Sequence, residues 1–211
     1  QPAETPVATP SATTVPTSTP TPLPASTPTM VYDEALRQPY EEDDDAFPDA
    51  TRYDLELTLD VEEATVLGQG RIRYTNTEDV PLDTLYLRLF PNTPGYGGTM
   101  TVTNLTLNGQ LIEPATELDG SALRIPLEPA LAPDAQVDLA LDFSLALPTD
   151  QLLGDSRRDG GGYRQLGYFE DTIALANAYP IVPVYDDEGW NVELAPTYGD
   201  AVFSDVAFFD V

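Results

Sequence analysis

Between Val137 and Leu147 every second residue is apolar: Val137, Leu139, Leu141, Phe143, Leu145 and Leu147 alternate with Asp138, Ala140, Asp142, Ser144 and Ala146. A helix with its ~3.6-residue turn would scatter those side chains around its circumference, whereas a strand lays all of them on one face. The pattern admits a half-buried β-strand and little else. The chain that carries it must therefore supply further strands to pair with it and a second layer to cover its apolar face.

Other segments supply them. Tyr53, Leu55, Leu57 and Leu59 alternate with Asp54, Glu56, Thr58 and Asp60, which predicts an antiparallel strand with one solvated face. Residues 65–76 read as its hairpin partner, with Gly68 and Gly70 marking a bulge or a close approach. Leu85, Leu87 and Leu89 alternate with Tyr86, Arg88 and Phe90, apolar enough on both faces to predict a central strand. Residues 91–99 (PNTPGYGGT) form a loop by their Pro, Asn and Gly content. Asn108-Gly109, between residues 102–107 and 110–112, tolerates positive φ at both positions and predicts a two-residue hairpin. Leu123 and Ile125 begin a short strand that Pro126 should confine to an edge. No amphipathic helix is apparent. The fold class is therefore all-β, an antiparallel β-sandwich or twisted-sheet domain.

Past Pro148 the texture changes. Residues 155–162 are polar and Gly-rich, with Arg157-Arg158 a site suited to proteolysis. Residues 168–190 turn aromatic and apolar without clean periodicity, which predicts irregular structure packed on something else. The last stretch, residues 200–211 (DAVFSDVAFFDV), reads as a strand that stops while still apolar, as in a domain truncated at Val211.

The amino-terminal side is different again. Residues 1–30 are almost entirely Pro, Thr, Ala, Ser and Val, and the acidic run Glu41 to Asp45 follows. Such a segment buries too little apolar surface to offset the entropy of ordering it. Residues 1–50 are expected to be a disordered Pro/Thr/Ser-rich and acidic linker, and residues 51–211 the folded domain. A tether of this kind suits an exported domain held off an envelope or lipid anchor, so an extracytoplasmic place, secreted or as a lipoprotein, is expected.

Composition narrows the chemistry. The chain has 36 acidic residues against 9 basic ones, all of them Arg, for a net charge of −27. A nucleic-acid surface needs a basic patch, and docking on anionic lipid needs one too, so neither partner is expected. The acidity reads as a strongly solvated surface; Asp43 to Asp45 lack the spacing of a calcium loop. Cysteine and histidine are both absent. That removes thiol chemistry, His-dependent triads and imidazole or thiolate metal sites, so no catalytic residue, metal ligand or cofactor is expected within these residues. No apolar run is long enough to span a bilayer, and no membrane insertion by this segment is expected.

The order of the segments resembles the amino-terminal, saddle-like β-domain of the aminopeptidase N-type zinc metallopeptidases, in their bacterial exported branch. The resemblance is carried by YDLELTLD at residues 53–60, the Gly68 to Tyr74 strand, LDTLYLRLFPN at 82–92 and LAPDAQVDLALDFSLALP at 131–148. It is most specific in ANAYPIVPVYDDEGW at 176–190 and GDAVFSDVAFFDV at 199–211. It implies a non-catalytic domain that packs on, and helps shape the substrate cleft of, a downstream catalytic domain absent from this sequence. That domain would hold zinc through an H-E-x-x-H helix and a distal Glu, and would bring the peptide substrate. The family is one of metallo-aminopeptidases, but these residues alone are expected to be inactive.

The resemblance also implies roles for particular residues. A Gln or Glu shortly before the Pro-containing passage would help to bind the substrate's free amino group, which points to the carboxylates of Glu170 and Asp171 and, less directly, to Gln165. This sequence lacks the family's usual Gln-x-(Gln/Glu) pattern there. Tyr179, Pro180, Tyr185 and Trp190 would face the catalytic domain. Those aromatics also suit a sugar-stacking platform, so a stand-alone cell-envelope β-sandwich binding or adhesion module on a Pro/Thr stalk is the alternative. Asp186-Asp187-Glu188 before Gly189 reads as a solvated turn rather than an acid–base cluster. Asn104-Leu105-Thr106 has the form of a glycosylation sequon and reads as plain strand sequence.

Overall fold

The structure, a computed structural model, describes residues 46–149, 165–169, 171–194 and 203–211. The calls made on residues 1–45, on Arg157-Arg158 and on Glu170 lie outside the described residues. In chain order the strands are β1 (Thr51–Asp60), β2 (Thr65–Thr75), β3 (Leu82–Arg88), β4 (Thr99–Leu107), β5 (Gln110–Leu111), β6 (Ala115–Glu117) and β7 (Ala122–Leu131). They continue as β8 (Gln136–Ala146), β9 (Leu166–Phe169), β10 (Thr172–Leu175), β11 (Tyr185–Asp186), β12 (Gly189–Trp190) and β13 (Ala207–Asp210). The described part is all-β, with short 3-10 turns at Phe90–Asn92 and Leu118–Gly120 as its helical pieces.

The larger sheet runs β13-β1-β2-β8-β4-β5, and a smaller one runs β3-β7-β6. All pairs are antiparallel except β1 with β13. The alternating row on β8 occupies the middle of the large sheet, between β2 and β4. Its six inward side chains are each at most 5% exposed. Across the core they meet Leu82, Leu85, Leu87, Leu123, Ile125 and Leu127 of the small sheet in one buried cluster. Truncating one such leucine to alanine typically costs about 2–5 kcal/mol.

The two strand glycines of β2 take the inward positions opposite Phe143 and Leu141. A Cβ on Gly68 would overlap the Phe143 ring, and one on Gly70 would sit 3.3 Å from Leu55 Cδ2. Close approach, not a bulge, is why glycine stands at both. Buried amides tie loops to the sheets. Asn76, fully buried, donates from Nδ2 to the Leu131 and Val80 carbonyls, both at 2.9 Å, linking the end of β2 to the end of β7. Asn92 donates to the Met100 and Gly120 carbonyls (2.9 and 2.7 Å) and accepts from the Met100 N–H (2.6 Å).

The Asn108-Gly109 turn forms as read, with φ of 49° and 79°. Other readings are corrected. β3 is an edge strand of the small sheet, its apolar character explained by a bridge from Arg88 to Ile181 that covers its end. The central strand there is β7, which runs on through Pro126 and Pro129. It can do so because the β3 ladder breaks register between Leu82 and Thr84, and β6 pairs only with residues 122–124. The prolines therefore fall where no ladder N–H is required. The aromatic segment is also more ordered than its sequence suggests, folding into the hairpins β9–β10 and β11–β12.

Gly68→Ala is expected to destabilise the domain by about 1–3 kcal/mol through overpacking against Phe143. Adding Phe143→Leu should recover part of that loss. Urea midpoints of the single and double variants check this; additive losses would show that the two positions do not clash.

Candidate functional site

The passage 176–194 folds onto one end of the two sheets. Its middle, Pro180 to Val184, is buried, while Tyr179, Tyr185 and Trp190 on either side are half-buried. The sequence dictates this division, because Pro180, Ile181, Val182, Pro183 and Val184 have no polar side chain to keep at the surface. Pinning comes from two backbone links. Ile181 exchanges hydrogen bonds with Arg88, and the Val182 N–H donates to the Tyr53 hydroxyl at 3.0 Å.

The aromatic rings form two groups. Trp190 stands 5.2 Å from Tyr185 edge-on, 5.9 Å from Tyr74 and 6.3 Å from Tyr86, and its Nε1–H donates to the Thr84 carbonyl at 3.0 Å. Tyr53 stacks on Phe209 at 4.8 Å, with Tyr179 edge-on to both at 5.8 and 5.5 Å. Each edge-on contact is a favourable quadrupole arrangement worth about 0.5–1.5 kcal/mol beyond area burial. Between the groups a cleft of about 140 Å³ opens, walled by Tyr53, Tyr74, Tyr179, Ile181 and Phe209, with Asp205 on its rim.

Electrostatics keep these phenols neutral. Burial pushes the Tyr53 hydroxyl well above the ordinary phenol range, and Tyr74 likewise, with the Asp205 carboxylate adding to both. Burial also raises Tyr179. Tyr86 is raised by burial and by its bond to Glu117 Oε2 at 3.2 Å. The group can offer apolar faces and neutral hydrogen-bonding hydroxyls.

The residues singled out from the sequence are not all brought together. Tyr179, Pro180, Tyr185 and Trp190 share this end of the fold. Asp171 lies apart on the β9–β10 turn, exposed at φ 62°, where the Tyr168 hydroxyl donates to it at 3.5 Å. Gln165 closes the base of the same hairpin through its carbonyl, which accepts from the Ala176 N–H at 2.9 Å. Asp186, Asp187 and Glu188 are exposed in the β11–β12 turn, where Asp186 Oδ1 accepts the Glu188 N–H at 2.9 Å. Asn104 sits at an irregularity of β4 with φ 53° and donates to Asp142 Oδ2 at 2.6 Å. Tyr53, Tyr74 and Phe209 were missed as members of the aromatic group. For Tyr53 and Tyr74 the strand alternation hid them as ordinary core.

Zinc of the kind that the family resemblance implies does not fit these residues. Such sites are built from His, Cys and carboxylates. The chain has neither His nor Cys, and among the described residues no three carboxylates cluster to hold a metal.

No family model matches the chain, and no curated protein does. Solved structures give a likeness. One is an M1 zinc metallopeptidase from Deinococcus radiodurans, at 22% identity over 47% of this chain and 20% of that one, with a TM-score of 0.38. A two-domain M1 zinc metallopeptidase bound to L-tryptophan gives 22% identity, 47% and 21% coverage and the same TM-score of 0.38. The chain thus spans about a fifth of the length of the structures it matches.

Tyr53→Phe deprives the buried Val182 N–H of its acceptor and is expected to cost about 1–3 kcal/mol. The wild-type phenols are raised in the folded state, so their contribution is intact below the unfolded phenol value of about 10 and is lost as pH rises above it. Stability measured against urea should therefore fall above that pH, and fall less steeply in Tyr53→Phe. Parallel slopes would show that Tyr53 titrates normally.

Proposed function

We propose that this chain is the ancillary β-domain of an aminopeptidase N-type zinc metallopeptidase, exported from the cell. It would pack against a catalytic domain and help shape the substrate cleft without taking part in the bond-breaking step. The observation that carries the reading is the passage from Ala176 to Trp190. Its sequence is the most family-like in the chain. Its fold leaves Tyr179, Tyr185 and Trp190 half-exposed around a buried stem. Rings that give one side to their own core and the other outward suit an interdomain contact, where aromatics supply much of the binding free energy. Zinc and the water-activating Glu would belong to the partner domain, which would bring the peptide with it. Asp171, and Glu170 before it, could pair with the substrate's ammonium group only if the catalytic domain brings the peptide to that turn.

The test begins with the gene. Codons following Val211 should encode H-E-x-x-H and a distal Glu; a natural stop codon immediately after Val211 sinks the peptidase reading and favours a free-standing envelope module. In the joined protein, Tyr185→Arg is expected to lower kcat/KM for an aminoacyl-anilide by about tenfold or more, since ~1.4 kcal/mol of lost docking suffices. An unchanged kcat/KM would place the catalytic domain elsewhere. The 211-residue chain alone should show no chelator-sensitive hydrolysis.

A further inference from the structure

Among the described residues one cation is withdrawn from solvent: Arg88, at 3% exposure. Its backbone is fixed on both sides, the N–H donating to the Ile181 carbonyl at 2.7 Å and the carbonyl accepting the Ile181 N–H at 3.0 Å. The guanidinium lies 4.9 Å from the centroid of the Phe90 ring. Nη1 donates to the Glu193 carbonyl at 2.8 Å. Nε and Nη2 make no hydrogen bond, and neither does the buried Thr93 hydroxyl on the turn that follows Phe90. Phe90, Tyr96 and Ile181 form a small apolar cluster of their own beside it. Burial lowers the affinity of Arg88 for its proton, and Tyr96 partly restores it.

An arginine in this state is incomplete. Two N–H donors of a charged group, out of water and without acceptors, cost more than the cation–π contact and one carbonyl return. The chain has acids in excess, yet its described ion pairs, Arg71 with Asp54 (3.7 Å) and Arg73 with Asp138 (2.8 Å), lie on the solvated face of the large sheet. The chemistry of the free edge is specific. Nε–H and Nη2–H point the same way, in the spacing that receives both oxygens of a carboxylate. A carboxylate's two coplanar oxygens match that edge, whereas a tetrahedral dianion brings further oxygens that these two donors cannot satisfy. Glu193 and Leu194 are exposed, so the guanidinium sits directly beneath the surface.

We propose that Arg88 forms a receptor for a carboxylate, which Nε and Nη2 take side-on. The carboxylate has two sources: a small carboxylate from solution, or an Asp or Glu of this chain.

Nuclear magnetic resonance of the arginine Nε–H groups in the full ¹⁵N-labelled chain tests this, with the Arg88 signal assigned by its loss in Arg88→Met. Sodium acetate is titrated against sodium chloride at matched ionic strength and pH 7. A saturable shift of the Arg88 signal with acetate and not with chloride supports the receptor and an external source. Without acetate, a shift on acidification through the carboxylate range, about 4, supports the receptor with an acid of the chain already seated. The groups facing Arg88 are controlled: Tyr96 carries a phenol and no carboxyl, and Glu193→Gln keeps the carbonyl that holds Nη1 while removing the carboxyl. Arg88→Lys keeps a cation but not the two-donor edge. Any acetate-dependent rise in melting temperature in the wild type should vanish in that variant. An Arg88 signal that moves in neither arm, or that answers acetate and chloride alike, overturns the proposal. So does an equal acetate effect on the melting temperatures of wild type and Arg88→Lys.

Discussion

The row from Val137 to Leu147 lies between β2 and β4 and forms the floor on which the small sheet rests. Its alternation fixes more than one strand. A one-residue slip of β8 would turn Asp138 and Asp142 into the core and Phe143 out to water, a cost no other contact offsets. Both neighbours are therefore held in a single register. β2 answers Phe143 and Leu141 with Gly68 and Gly70, and β4 sets Met100 opposite Leu145. The polar side of the same strand is satisfied in that register too. Asp138 receives Arg73, and Asp142 receives Gln69 at 3.0 Å and Asn104 at 2.6 Å. Such exposed pairs add little stability individually. Their agreement with the apolar pattern is what makes the pairing unique.

How much of this was legible in the sequence follows from the range of the forces involved. β1, β2 and β8 were readable because one face is dry and the other wet, a contrast written locally in every second residue. The Asn108-Gly109 turn was readable because positive φ at two successive positions selects those residue types. β3 misled because Leu85 and Leu87 are buried by the large sheet, while its outer end is covered by Ile181 from far along the chain. That is a long-range fact with no local trace. β7 misled for the opposite reason: Pro126 signals an edge, but β6 pairs only with residues 122–124, so no neighbour on that side needs its N–H. The parallel pairing of β13 with β1 could not be read from either strand alone.

The aromatic end shows the same limit in its chemistry. Tyr179, Tyr185 and Trp190 were visible as an unusual concentration of rings, but their partners Tyr53, Tyr74, Tyr86 and Phe209 come from strands far apart in the chain. Assembling them makes a surface with a particular balance. The stem from Pro180 to Val184 is committed to the interior, and Tyr53 holds it through the Val182 N–H. The flanking rings are held by one another and by the Thr84 carbonyl, not by burial on all sides. Their geometry is thus set by the fold itself. A preformed aromatic surface avoids much of the ordering cost of association.

The distribution of charge connects these parts. With a net charge of −27 the chain repels itself, and its few cations matter by where they stand. Each described arginine is on a strand, and they serve four different ends. Arg71 and Arg73 neutralise acids on the open face of the large sheet. Arg52 lies 4.8 Å over the Phe208 ring, adding a contact to the β1–β13 pairing. Arg124 reaches Thr84 Oγ1 at 3.2 Å across the small sheet, beside the carbonyl that holds Trp190. Among the described arginines Arg88 alone is buried, under the passage that bears the aromatic rings. A buried guanidinium is tolerated where something anionic comes to meet it, because its desolvation is otherwise uncompensated. The aromatic surface and the buried cation thus occupy the same end of the fold, joined through the Arg88–Ile181 bridge.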